Sequence, residues 1–254
     1  MSCKEWKNVK LQDVILFNPT ESIKKGEIAK KIGMDKLETF QRKIAGYELT
    51  EFKSGTKFRN GDTLMARITP CLENGKTAQV SLLDEDEIAF GSTEFIVMRQ
   101  MEGYTINDFV YYLSISPEIR DIAIKSMTGT SGRQRAQIDV IKNTIVNIPS
   151  IEEQQAIANI LSSLDEKIET NNEINNKLEE TAQAIFKRWF VDFEFPNEDD
   201  EPYKSSGGAM VESELGMIPE GWGVGNIGNY VKVKSGFAFK SAWWKNEGIP
   251  VIKI

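Results

Sequence analysis

Two stretches of the 254-residue chain place cations, hydroxyls and amides in glycine-containing turns. These residue types can grip phosphate and read base edges. The first stretch runs from Arg67 to Lys76 and is tipped by Asn74-Gly75, a strong turn dipeptide. Arg67 and Lys76 suit a phosphate or a guanine edge, and Thr69 suits either base or backbone. The second is Ser131-Gly132-Arg133-Gln134-Arg135. Its arginines suit phosphate, and Gln134 suits adenine N6 and N7. The plainer alternative for both loops is an exposed turn with solvated charges. Lys53, Lys57 and Arg59 form a lesser basic patch, and Lys187-Arg188 suit helix-end packing or phosphate contact.

Catalytic chemistry is sparse. The chain has no histidine, which removes the usual general base and the commonest transition-metal ligand. Cys3 and Cys71 are too few and too dispersed for a zinc site or a disulfide framework. No catalytic residue, metal ligand or cofactor is predicted. Asn18-Pro19-Thr20 is the nearest fragment to an Asn-Pro-Pro-Tyr methyltransferase signature and is better explained as a turn. No glycine loop ends in Gly-Lys-Ser/Thr. Gly61-Asp62 with Glu73 and Lys76 is the nearest approach to a nuclease carboxylate cluster, and Gly-Asp is also a common turn into a strand.

The formal charge of −7 is unevenly spread. Residues 1–149 carry 21 basic and 20 acidic residues, whereas residues 150–254 carry 10 and 18. A near-neutral first part can still present one basic face. No apolar run is long enough for a membrane helix and the first residues do not resemble a signal peptide, so a cytoplasmic protein is expected.

The elements that must position the loops are legible in outline. Residues 5–100 alternate strand and turn signals, with short strands expected at Thr63–Ile68, Thr77–Leu82 and Thr93–Arg99. Thr105–Asp108 reads as a capping box before an apolar helical run, and Pro117 divides two short helices. A mixed α+β domain over 1–149 follows. Ser150–Glu153 is a second capping box, opening a helix predicted over 150–195. Within it Ile157, Leu161, Leu164, Ile168, Asn171, Asn175, Leu178, Ala182, Ile185 and Trp189 recur at alternating steps of four and three. That is a heptad seam with a polar layer, and so long a helix needs a partner helix. The asparagines are either a register-setting layer or a local polar defect. Residues 196–216 read as an acidic flexible linker. Trp6 and Leu11 find counterparts at Trp222 and Ile227, so an internal repeat begins there. Trp6 and Trp222 are expected to anchor the start of each domain. Residues 217–254 read as the beginning of a second domain, incomplete at Ile254 within an expected strand over 249–254.

Taken together, Gly61–Lys76 (GDTLMARITPCLENGK), Gly91–Phe95 (GSTEF), Gly129–Asp139 (GTSGRQRAQID), Ile151–Ile168 (IEEQQAIANILSSLDEKI) and Ala184–Phe193 (AIFKRWFVDF) resemble the specificity subunit of Type I restriction-modification systems. The stretch 148–193 is the most specific part. Gly236–Ser241 with Gly248–Ile252 resembles the opening of a second target-recognition domain. The resemblance implies two recognition domains, each reading half of a bipartite DNA site, separated by long antiparallel helices. The helices act as spacer and as docking surface for methyltransferase subunits. Methylation and ATP-driven cleavage reside in partner modification and restriction subunits, so the chain itself is not an enzyme. This chain departs from the pattern in having one recognition domain, one spacer helix and the start of a second domain. Homodimerisation through the seam would restore the two-fold arrangement. The rival readings are a coiled-coil interaction module without a DNA role, and a catalytic nuclease or methyltransferase.

Overall fold

In the computed structural model, the described residues are 6–130, 132–234, 236–237 and 239–240. Ser131, Cys3 and the strand expected over 249–254 lie outside them. Residue contacts divide the chain into two units, Met1–Glu173 and Ile174–Ile254. The division falls inside the long helix, away from the boundaries expected at 149/150 and 216/217.

The first unit begins with β1 (Lys7–Lys10), a short 3-10 turn (Leu11–Asp13) and β2 (Ile15–Phe17). Next come β3 (Ile28–Ile32), β4 (Glu48–Glu51), β5 (Thr56–Phe58), β6 (Thr63–Ala66), β7 (Thr77–Gln79), β8 (Ala89–Gly91) and β9 (Phe95–Gln100). Helices α1 (Asn107–Ile115), α2 (Pro117–Lys125) and α3 (Ile138–Lys142) lead through β10 (Ile145–Ile148) into α4 (Ile151–Phe186). One sheet has the order β2-β9-β6-β7, a second has β4-β3-β8-β5, and β1 pairs antiparallel with β10. In the second sheet β3 and β8 run parallel, and the other pairings are antiparallel.

The sheet containing β6 and β9 is the middle layer. Leu64 lies opposite Val97 and Met65 opposite Ile96. Successive strand residues face opposite ways. Leu64, Phe95 and Val97 therefore join Ile32 and Phe58 in a core between the two sheets. Met65, Ile96 and Met98 face the other way, toward Val110, Ile119 and Ala123 of the helices. A strand covered on both faces has no polar alternation to show, which is why β6 and β9 appear in sequence as unbroken apolar runs. The mixed helix-and-strand fold with a long helix after a sheet domain matches the α+β expectation.

Local chemistry sets several boundaries. Ser116 caps α2 by accepting from the Ile119 amide, with Pro117 in its first turn, as the position of Pro117 suggested. The Ser150 box is formed in both directions: the Ser150 amide donates to Glu153 Oε2 at 3.1 Å and the Glu153 amide to Ser150 Oγ at 3.3 Å. The box expected at Thr105–Asp108 does not form. Thr105 Oγ1 donates to the Val14 carbonyl at 2.6 Å and accepts from the Met101 amide, and Ile106 occupies the cap position with no side-chain bond. The tertiary contact to Val14 outcompetes the cap.

In the second unit α4 passes into a wider π turn, Lys187–Val191. Where an acidic linker was expected over 196–216, the chain is hydrogen-bonded. Asn197 Oδ1 accepts from the Asp199 and Glu201 amides, and β11 (Met210–Ser213) pairs with β12 (Gly216–Pro219) in a hairpin. A single asparagine side chain organises the acid run into a turn. A domain start at 217 would cut through β12.

Candidate nucleic-acid interface

The two loops singled out by sequence lie against each other. The Thr69 amide donates to the Gln134 carbonyl at 3.0 Å, and the Ala136 amide to the Arg67 carbonyl at 2.7 Å. Isolated bridges join Ile68 to Arg135 and Thr128 to Arg135. The loop after β6 and the loop before α3 are thus zipped into one surface, although about sixty residues separate them in the chain. Loops placed on a rigid scaffold in this way are common sites of recognition.

The side chains divide by what holds them. Arg135 Nε donates to both oxygens of Glu94 at 2.9 Å, and its Nη2 donates to Oε1 at 2.6 Å. This bidentate pair holds the Glu94 carboxyl below the usual carboxylate range and the Arg135 guanidinium above its own. Thr69 Oγ1 donates to Glu73 Oε1 at 2.7 Å. Lys76 turns inward and its Nζ donates to the Met34 carbonyl at 3.0 Å. The buried Arg67 Nε and Glu73 Oε2 have no hydrogen-bond partner. Arg133 is exposed and Gln134 partly exposed. Among the described residues no side-chain hydrogen bond or ion pair holds either. Ser131 is outside the described residues.

Sequence reasoning missed Arg120 and Phe40. The Arg120 guanidinium donates to the Glu73 carbonyl at 2.5 Å and lies 5.2 Å from the Phe40 ring. Phe40 covers the loop tip, where a side chain at Gly75 (φ +71°) would run into its ring. Arg120 sits among the apolar residues of α2, and its sequence gives no sign that it reaches a loop some fifty residues earlier. The surface therefore gathers Arg67, Arg120, Arg133 and Arg135 against Glu73 and Glu94, a local cationic excess in a near-neutral domain.

Two other sequence candidates have structural roles. Asp62 is buried and receives Arg99 Nε at 2.6 Å and Nη2 at 2.7 Å. Asp62 is thereby committed to a salt bridge, away from Glu73. Lys57 lies 5.0 Å from the Phe52 ring.

Helix α4 is fixed to the first unit at its start. The buried Gln154 donates to the Tyr104 and Pro149 carbonyls and accepts from the Ile106 amide. Tyr112 donates to Asp165 at 2.7 Å while Arg42 donates to both Tyr112 and Asp108. Of the heptad positions, Ile157 packs on the domain core and Leu161 is partly buried. Leu164, Ile168, Leu178, Ile185 and Trp189 are exposed, as are Asn171, Asn175 and Ala182. Trp6 is also exposed, against the expectation of a core anchor. Among the described residues no helix is long and apolar enough to cross a membrane.

Comparison with known proteins gives this arrangement a family. The model for the Type I restriction modification DNA specificity domain matches residues 3–180, and the chain belongs to that family. It is 35% identical over 163 residues to the HindI specificity subunit of Haemophilus influenzae, covering 63% of this chain and 34% of the relative. It is 30% identical over 151 residues to the MjaIX specificity subunit of Methanocaldococcus jannaschii, covering 59% and 33%. The chain thus spans about a third of the length of these curated relatives. The fold matches the crystal structure of the HsdS subunit from Thermoanaerobacter tengcongensis with a TM-score of 0.55 at 21% identity, covering 82% of this chain and 53% of that one. A structure from work on assembly and conformational transition of the type I R-M system matches with the same TM-score at 22% identity, covering 84% and 55%.

Proposed function

We propose that this chain is a non-catalytic, sequence-specific DNA-binding subunit of a Type I restriction-modification complex, acting in the cytoplasm. The zipping of the two basic loops into one surface carries this reading. Arg133 and Gln134 stand free at that surface to meet DNA. Arg135 is held by Glu94 on one edge and keeps Nη1 for a phosphate or guanine. Holding the guanidinium in place beforehand reduces the ordering cost of binding. Arg67, Thr69, Lys76 and Ser131 complete the candidate set, and Thr69 and Lys76 also brace the loops from within.

One such domain reads one half of a bipartite site. The second half is read by another recognition domain, in a homodimer formed through the heptad face of α4 or in a companion chain. Methyltransferase subunits, which carry the methylation chemistry, dock on the paired helices, and a restriction subunit joins them. The exposed apolar face of α4 also favours a second reading, an interaction module with no DNA role. A gel-shift selection from random-sequence duplexes, run with methyltransferase subunits present, separates the two. Enrichment of one short half-site is expected. Failure to enrich any sequence favours the interaction module.

A further inference from the structure

Phe40 combines a strained backbone with an exposed ring. Its φ is +54°, in a region that bulky side chains rarely occupy. Among the described residues of the first unit, the other non-glycine residues with positive φ are Asn18 and Asp86, types that tolerate it. The Phe40 side chain is 66% exposed, so burial does not offset the strain. Strained positions of this kind cluster where a protein meets a ligand. The segment that carries Phe40 is braced. Leu37 and Ile44 are buried and bridge to each other, while Glu38, Thr39, Phe40 and Gln41 between them are exposed. The Phe40 amide donates to the Gly75 carbonyl at 3.1 Å, and the Gln79 amide to the Arg42 carbonyl at 3.0 Å. The Arg42 guanidinium donates to Gln79 Oε1 and to Asp108 Oδ1, both at 2.6 Å. Residues 37–44 thus form a finger with a fixed base, joined to the tip of the 67–76 loop and carrying Phe40 at its own tip. The Arg120 guanidinium lies 5.2 Å from the ring centre and backs it with positive charge.

We propose that Phe40 is a wedge that opens one base step of the bound duplex and adds specificity at a position no polar side chain reads. An apolar side chain inserted between base pairs unstacks them and kinks the duplex. Unstacking costs free energy, and stacking of the ring on the separated bases offsets it. The cost is least at flexible pyrimidine–purine steps. The wedge therefore favours half-sites that place such a step beneath it. A finger already held at its base loses little freedom on insertion. Arg120 beside the ring brings positive charge close to the adjoining phosphates.

This inference rests on the DNA-binding reading, and its test separates the two. The intact chain, with methyltransferase subunits present, is titrated into the selected duplex carrying 2-aminopurine at one position at a time. The fluorescence of this base rises when it is unstacked. With the native chain, a rise is expected at one step within or beside the half-site. Phe40→Asn suits the left-handed backbone, so it keeps the fold while removing the ring, and thermal unfolding verifies this. It should abolish that rise and weaken binding about tenfold, the loss of about one stacked base. Phe40→Leu should restore the rise, since leucine also serves as a wedge. No rise with the native chain, a rise that survives Phe40→Asn at every responding position, or no restoration by Phe40→Leu overturns the wedge and leaves DNA binding standing. A native chain that binds no duplex overturns both.

Discussion

The Arg135–Glu94 pair ties the loop before α3 to the start of β9 and fixes the guanidinium proposed to meet DNA. The carboxyl is held below its ordinary range first by its hydrogen bonds with Arg135. A carboxylate with a depressed folded-state pKa contributes stability that is present above its unfolded value, near 4.5, and is lost as pH falls through the folded value. The stability difference between the native chain and Glu94→Gln should therefore be constant near neutrality and shrink below about pH 4.5. Denaturation across pH checks this, and a difference that persists at lower pH would contradict it. Asp62 makes a harder prediction. Its removal leaves the buried Arg99 with Glu21 as its remaining ion-pair partner, at 2.6 Å, so Asp62→Ala should cost about 2–3 kcal/mol in chemical denaturation. Sequence distinguished neither role. Arg135 was legible as a cation in a turn, but its partner lies forty-one positions away. Asp62 was legible as a turn acid, and only the pairing of β6 with β9 shows that Arg99 reaches it.

At the scale of elements, α4 was the most legible part, because a capping box and a heptad repeat are local patterns. Gln154 was not legible, since its three partners come from Tyr104, Ile106 and Pro149. Gln154→Ala would leave those groups unmet and should destabilise the first unit by about 2–3 kcal/mol, measurable by thermal or urea unfolding. A neutral effect would show that the helix start is held elsewhere. The exposed heptad face predicts association. Leu164→Glu with Leu178→Glu should weaken dimerisation by at least about tenfold in sedimentation equilibrium. An unchanged dimer would place the interface on another surface. The Asn197 turn and the hairpin β11–β12 escaped the sequence because their segment was read by composition, whereas the first depends on the Asn197 side chain and the second is closed by Ser213 Oγ, which accepts from the Leu215 amide and donates to the Gly216 carbonyl.

For the molecule as a whole, the fold class and both loops could be read from the sequence, but not their meeting. Turn dipeptides and glycine spacing mark each loop separately. Their adjacency requires the middle sheet, with apolar residues directed to both faces, and α2 and α3 laid across it. That arrangement turns two unremarkable basic turns on an acidic chain into one cationic surface and brings in Arg120 from a third element. The measurement that tests this most directly is the salt dependence of DNA binding. It compares the native chain with Arg133→Ala/Arg135→Ala on the same duplex, with methyltransferase subunits present. Loss of two phosphate contacts should weaken binding and reduce the slope of log K against log salt by about two. A slope unchanged in the double variant, with folding intact, would show that this surface does not meet DNA.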